Sequence, residues 1–321
     1  MRAPVVVGLG VAAAATAVAA ALAPLWVYAL SLAAFGLPHV LTELRYVDER
    51  FAARWPRHAW FALGALLLGI AAVRTAGLAG LGSAGLRTTI ELGLGAAAVG
   101  LTLAVGRGLA RWLGGALVAT LVVGLARAPA MTLVLLALLH NLTPVGFLAE
   151  RLHGPARRWA LLGCAAAFVV VPLLMVVSLP LPPVSSGPFG TGDLEAHLPV
   201  FVPAPWCGGP FADRLFAVAA WWQCVHYALV LHVLPRLGGG EFVAGASVRW
   251  PSSWAFTFGA TLLGIVLAAG FVAGFGHARA AYGIVAAMHA WIELPVLVLA
   301  VAGTAGGATP PARAAVCRAP G

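Results

Sequence analysis

Residues 24–45 read PLWVYALSLAAFGLPHVLTELR, and this stretch decides the class of the fold. Residues 25–42 contain no Asp, Glu, Lys or Arg, and the first charge, Glu43, comes just before Arg45. A bilayer core needs about 20 apolar residues in a helix, and this run supplies them. It also carries His39 and Glu43 inside the apolar length. A polar pair inside a spanning segment is costly, so it marks a site as well as a span.

The same pattern recurs along the 321 residues. The composition is 62% hydrophobic and 9% charged, with a mean hydropathy of +0.97. A soluble domain usually carries about 25% charged residues, so this chain lacks the surface for water. Ten spans are expected at 4–23, 25–44, 58–79, 88–106, 112–127, 130–149, 159–179, 214–235, 254–275 and 281–303. Open strands would leave backbone groups unpaired in lipid, and no dyad alternation of a barrel is present. The expected fold is therefore all-α: a polytopic transmembrane helical bundle over 1–321, forming a single integral membrane domain. Arg2 and the apolar run after it resemble a signal peptide, but the run is long for one and is read as a retained helix.

Orientation follows from the arginines, which make up all 19 basic residues. With the first span starting inside, 14 fall inside and 5 outside, the positive-inside bias of an N-in, C-in protein. The formal charge of +9 is spread thinly over the gaps, so no nucleic-acid partner is implied. Residues 180–213 then form an extracytoplasmic loop, read as a cap. The four cysteines, Cys164, Cys207, Cys224 and Cys317, contain no CxxC pair and suggest no disulfide framework.

The ionisable residues are partitioned. His39 and Glu43 lie in the second span, His140 in the sixth, His226 and His232 in the eighth, and His289 and Glu293 in the tenth. These spans all run in one direction. At about 1.5 Å per residue, His39, His140, His226 and Glu293 fall at similar depth, with His289 a turn further out and Glu43 and His232 nearer the cytoplasmic face. The i, i+4 spacing of His39 with Glu43, and of His289 with Glu293, puts each pair on one helix face. His232 stands six residues after His226, about 120° away on an ideal helix, and a π-bulge would be needed to bring the two together.

Facing helices of a bundle build metal sites from such residues. Imidazole with carboxylate suits iron, zinc or manganese, and non-haem iron(II) commonly takes two His and one carboxylate. His39, His140, His226, His289 and His232 are the candidate metal ligands. Glu43 and Glu293 are candidate catalytic groups, either as ligands or as orienters of the imidazoles. Haem held between paired histidines, a proton relay and interhelical hydrogen bonding are the other readings of these residues. His58, His153, His197 and His277 are read as solvated, and Trp221, Trp222 and Tyr227 either as the lining of a lipid-substrate cavity or, preferably, as packing and interface residues. Pro38 and Pro144 are candidate breaks in two polar spans.

Gly36-Leu37-Pro38-His39, followed by Glu43, resembles the Gly-Leu-Pro-His-Gly-x-x-Asp segment of the Brp/Blh-like bacterial β-carotene dioxygenases. Glu43 stands at the position of that family's Asp, and Val40 at the position of its second Gly. The resemblance implies a polytopic protein of a bacterial inner membrane, with a non-haem iron held by histidines from several helices. It further implies O₂-dependent cleavage of the central double bond of a carotenoid. The expected activity is thus a membrane dioxygenase using iron(II), O₂ and a hydrophobic small-molecule substrate.

Overall fold

The computed structural model describes residues 3–178, 183–237 and 246–305. Among them the secondary structure is helical, and one isolated bridge, Ser186 with Asp193, is the only extended pairing. Helices α1 (Ala3–Leu22), α2 (Pro24–Phe51), α3 (Arg57–Leu78), α4 (Ala84–Val105) and α5 (Leu109–Arg127) come first. The pair α6 (Pro129–His140) and α7 (Thr143–Arg151) follows, bent by 40°. Next come α8 (Gly154–Ala165) and α9 (Val171–Ser178), joined by a π-turn at Ala166–Val170. Then α10 (Ala212–Ala228) and α11 (Leu234–Leu237) are joined by a π-turn at Leu229–Val233, before α12 (Ser253–Ala273) and α13 (Phe275–Ala305).

Among the described residues, eight helices are long and apolar enough to cross a bilayer, or nine if the bent pair is one span. The expected first span is a helix, but only Gly10–Leu22 of it counts, as a shorter apolar helix. The outward faces carry large apolar side chains. Phe61, Trp112, Val177 and Trp254 are each more than three-quarters exposed, a surface suited to lipid and costly in water.

Local chemistry sets the helix ends. Proline stands in the first turn of α2, α6, α7 and α8, where its missing N–H is unpaired in any case. Ser83 and Ser252 cap α4 and α12 by accepting from the amides of Leu86 and Ala255. Two ends differ from expectation. α2 runs seven residues past 44, because Arg45 pairs with Glu49 at 2.7 Å and Asp48 accepts from the amides of Ser247 and Val248. α13 starts at Phe275, six residues before 281.

Pro38 does not break α2. It removes one backbone bond inside a helix that continues, as packing neighbours can allow in a membrane. The other break is real, and it falls before Pro144. Asn141 Nδ2 donates to the carbonyls of Ala137 and Leu138, and Thr143 Oγ1 donates to that of His140. These side chains satisfy carbonyls that the end of α6 would otherwise leave orphaned.

α2, α10 and α13 are the most enclosed helices. Small residues let their neighbours close in: Gly264 of α12 faces the Pro38 ring, and a Cβ there would sit 2.8 Å from Pro38 Cγ. The segment between α9 and α10 is not a loose cap. Leu194, Leu198, Phe201 and Val202 are buried against Tyr28 and Phe216. His197 is buried as well, correcting its reading as solvated, with its Nε2 2.8 Å from the Thr191 carbonyl oxygen.

Gly264→Leu is expected to destabilise the bundle by about 1–3 kcal/mol through overpacking against Pro38. Gly259→Leu on the same helix, where a Cβ meets no atom within 4 Å, serves as the control. Thermal unfolding in detergent measures both, and equal midpoints would contradict this packing.

Candidate metal centre

Four helices deliver the polar residues to one point. His39, His226 and His289 stand 15, 14 and 14 residues from the starts of α2, α10 and α13, which levels them in the bundle. His289 was expected a turn further out, and the earlier start of α13 is the reason it is not. His140, at the C-terminal end of α6, reaches the same point from the bend.

One nitrogen or oxygen from each of His39, Glu43, His140, His226 and His289 lies within 4.8 Å of all the others. The four imidazoles touch in a cycle. Ring centroids are 5.2 Å apart for His39–His226, 4.8 Å for His226–His140, 4.7 Å for His140–His289 and 5.0 Å for His289–His39. His39, His226 and His289 are at most 2% exposed, and Glu43 and Glu293 are fully buried.

A backbone hydrogen bond aims the donor atom of His39 inward. His39 Nδ1 is 3.2 Å from the Phe35 carbonyl oxygen, which can only accept. Nδ1 therefore carries the proton, and the Nε2 lone pair faces the centre. That Nε2 is 3.3 Å from Nε2 of His289, and His226 Nε2 is 3.3 Å from Glu43 Oε2. Donor atoms on one ion at about 2.1 Å are roughly 3.0 to 3.4 Å apart, depending on octahedral or tetrahedral angles. Both contacts fall in that range.

Without a cation these groups are poorly satisfied. Both oxygens of Glu43, and both ring nitrogens of His140 and of His226, find no well-formed hydrogen bond. Buried polar groups in such number and proximity are expensive. A divalent ion between them would pair the lone pairs and offset the carboxylate charge.

Glu293 acts one step back. Thr143 Oγ1 lies 2.7 Å from its Oε2, and His140 Nδ1 lies 3.1 Å from the same oxygen, though off the ideal line. This is the arrangement by which a carboxylate fixes the tautomer of a metal-bound histidine. Glu43 and Glu293 also adjoin one another, a contact that brings the two buried carboxyl groups into one charge cluster.

His232 does not join the site. It is exposed, and its carbonyl accepts from Arg236. The expected π-turn is present at Leu229–Val233. Counted as one inserted residue, it moves His232 from about 120° on one side of His226 to about 140° on the other. The turn therefore cannot bring the two rings together.

Tyr227 was read as packing but touches His39, with ring centroids 4.2 Å apart. It adjoins the cluster because it directly follows His226 where α10 meets α2. Trp221 and Trp222 do pack: their indole N–H groups donate to the Ala167 and Phe168 carbonyls of the first π-turn, at 2.7 and 3.2 Å.

A cavity of about 540 Å³ adjoins the cluster, lined by His39, His140 and His289 and by apolar residues including Leu32, Leu133 and Leu136. Cys164, Cys207 and Cys224 are free and not part of the cluster, and Cys317 lies outside the described residues.

Metal analysis by mass spectrometry of detergent-purified protein is expected to find near-stoichiometric transition metal. His39→Ala and His289→Ala should lose it, and His232→Ala should keep it. Loss in His232→Ala alone would overturn this assignment.

No protein-family model, curated protein or solved structure matches this chain.

Proposed function

We propose that the chain is a membrane-embedded, metal-dependent oxygenase, using non-haem iron(II) and O₂ on a hydrophobic substrate such as a carotenoid or another lipid. The observation that carries this reading is the convergence of four imidazoles and Glu43 beside a largely apolar cavity. A nitrogen-rich set with one carboxylate suits iron(II), and zinc or manganese share the same donors. The Gly36–His39 segment, with Glu43, supports the carotenoid as the first substrate class to test.

His39, His140, His226 and His289 would hold the ion, and Glu43 would ligate it or balance its charge. Glu293 and Thr143 orient His140. His140 is partly exposed, so the cavity reaches the cluster on its side. When bound, iron supplies the redox chemistry and a position for O₂, while the protein supplies geometry and a water-poor site. The packed segment containing Phe201 and Val202 helps to exclude solvent.

The topology that accompanies this reading has ten spans, N-in and C-in, in a bacterial inner membrane. The 14-to-5 arginine bias supports it. The cavity then opens toward the extracytoplasmic side, on the side of Val200 and Phe201.

The mutual contact of the four rings favours a bare ion over haem, since a porphyrin needs space between its axial ligands. A proton-coupled transporter is the second reading, favoured by the 40° break beside His140 and the adjoining Glu43 and Glu293.

Anaerobic loading with iron(II), followed by optical spectroscopy and O₂ uptake with β-carotene, separates these readings. Bound iron without a Soret band, and carotenoid loss that requires O₂, is expected. Glu43→Gln should weaken iron binding by about 10- to 100-fold. A Soret band would move the assignment to a cytochrome. Proton flux in proteoliposomes without any metal requirement would move it to a transporter.

A further inference from the structure

The cavity is lined by two chemically different sets, the imidazoles of His39, His140 and His289 and the guanidinium groups of Arg74, Arg87 and Arg279. Arg74 lies against Gly283 of α13, and Arg87 packs on Gly77, one turn beyond Arg74 on α3. Helix α13 spans the distance. Arg279, Tyr282, Ala286 and His289 follow each other at steps of three, four and three, so they share one face. Ten residues separate Arg279 from His289, a rise of about 15 Å. Ala280, Gly283 and Ala286 line the length between them, and such small side chains leave the slot open.

The charges at the arginine end do not balance. Arg74 is committed to Glu91, through contacts of 2.9 and 2.7 Å. Arg87 donates to the carbonyls of Leu81 and Gly82. Arg279 lies over the Phe275 ring and beside the Tyr28 hydroxyl. Among the described residues neither Arg87 nor Arg279 meets a carboxylate. A guanidinium has five N–H donors and favours planar or tetrahedral oxyanions. Two such cations at the end of an apolar slot fit a ligand with one charged end.

We infer that the cavity binds a single-chain amphiphile, with its anionic end, a carboxylate or phosphate monoester, at Arg279 and Arg87. Its apolar chain runs along α13 toward the imidazole cluster. The inference builds on the reading of that cluster as the reacting end. It adds a register: the anion fixes which bond of the chain, about 15 Å away, stands beside His289.

The test uses the full chain in nanodiscs of zwitterionic lipid and radiolabelled hexadecanoate, hexadecyl phosphate and hexadecanol. One or both anionic ligands are expected to bind about 10- to 100-fold more tightly than the alcohol, as charge-assisted hydrogen bonds would give, and the two arms identify the head group. Arg87→Gln/Arg279→Gln should reduce that preference to about threefold or less, while Arg87→Lys/Arg279→Lys should retain most of it. The lysine variant guards against misfolding, and thermal unfolding checks all three proteins. Equal binding of the three ligands would overturn the proposal. So would a preference that survives the glutamine variant, or inorganic phosphate alone binding as tightly as hexadecyl phosphate. Iron content measured on the same samples keeps the two readings apart. Iron-free protein that still prefers the anion would retain this inference and remove the metal, and iron-loaded protein with no preference would do the reverse.

Discussion

Two fully buried carboxyl groups and four imidazoles in mutual contact form the constraint around which the rest of this structure is arranged. In a low-dielectric interior, such groups must compensate one another or share a counter-ion. Glu43 and Glu293 come from different helices, and so do the four rings. No helix can therefore shift along its neighbours without exposing an unpaired polar group. The cluster thus fixes the relative depth of α2, α6, α10 and α13.

The surrounding packing serves that register. Gly264 admits the Pro38 ring, so α12 lies close to α2 at the level of His39. The bend between α6 and α7 turns His140 inward, and Asn141 and Thr143 cover the carbonyls that the bend releases. Thr143 contributes twice, since its hydroxyl lies both on the His140 carbonyl and on Glu293. The break in the helix and the orientation of the histidine are therefore one local solution. Arg74 and Glu91 pair across α3 and α4, and Trp291 Nε1 donates to Glu91 at 3.3 Å, linking that pair to α13.

Much of the site was legible because polar residues in apolar helices are costly and therefore informative. His39, Glu43, His140, His226 and His289 stood out on that ground, and the structure brings all five together. Glu293 stood out too, and it lies just behind His140. What could not be read was lateral and local. His232 had the same residue type and the same helix as His226, but it points well away from His226 with or without the π-turn and is exposed. His197 sits in a loop sequence rich in Pro and Gly and is buried only because that loop folds onto Tyr28 and Phe275. Tyr227 had two readings, cavity lining or packing, and it both lines the cavity and packs against His39.

The sequence by itself determined the solvent and the currency of the site. Long uncharged runs require lipid and helices, and histidines with carboxylates inside them require partners. Tertiary structure alone decided which of those residues meet. Helix starts at Phe275 and bends at His140 set their depth, and π-turns set their azimuth. Tertiary structure also brought Arg87 and Arg279 into the lining of the cavity. The physical reason is that burial cost depends on the residue and its segment, whereas proximity depends on rotations and offsets between helices that no single segment encodes.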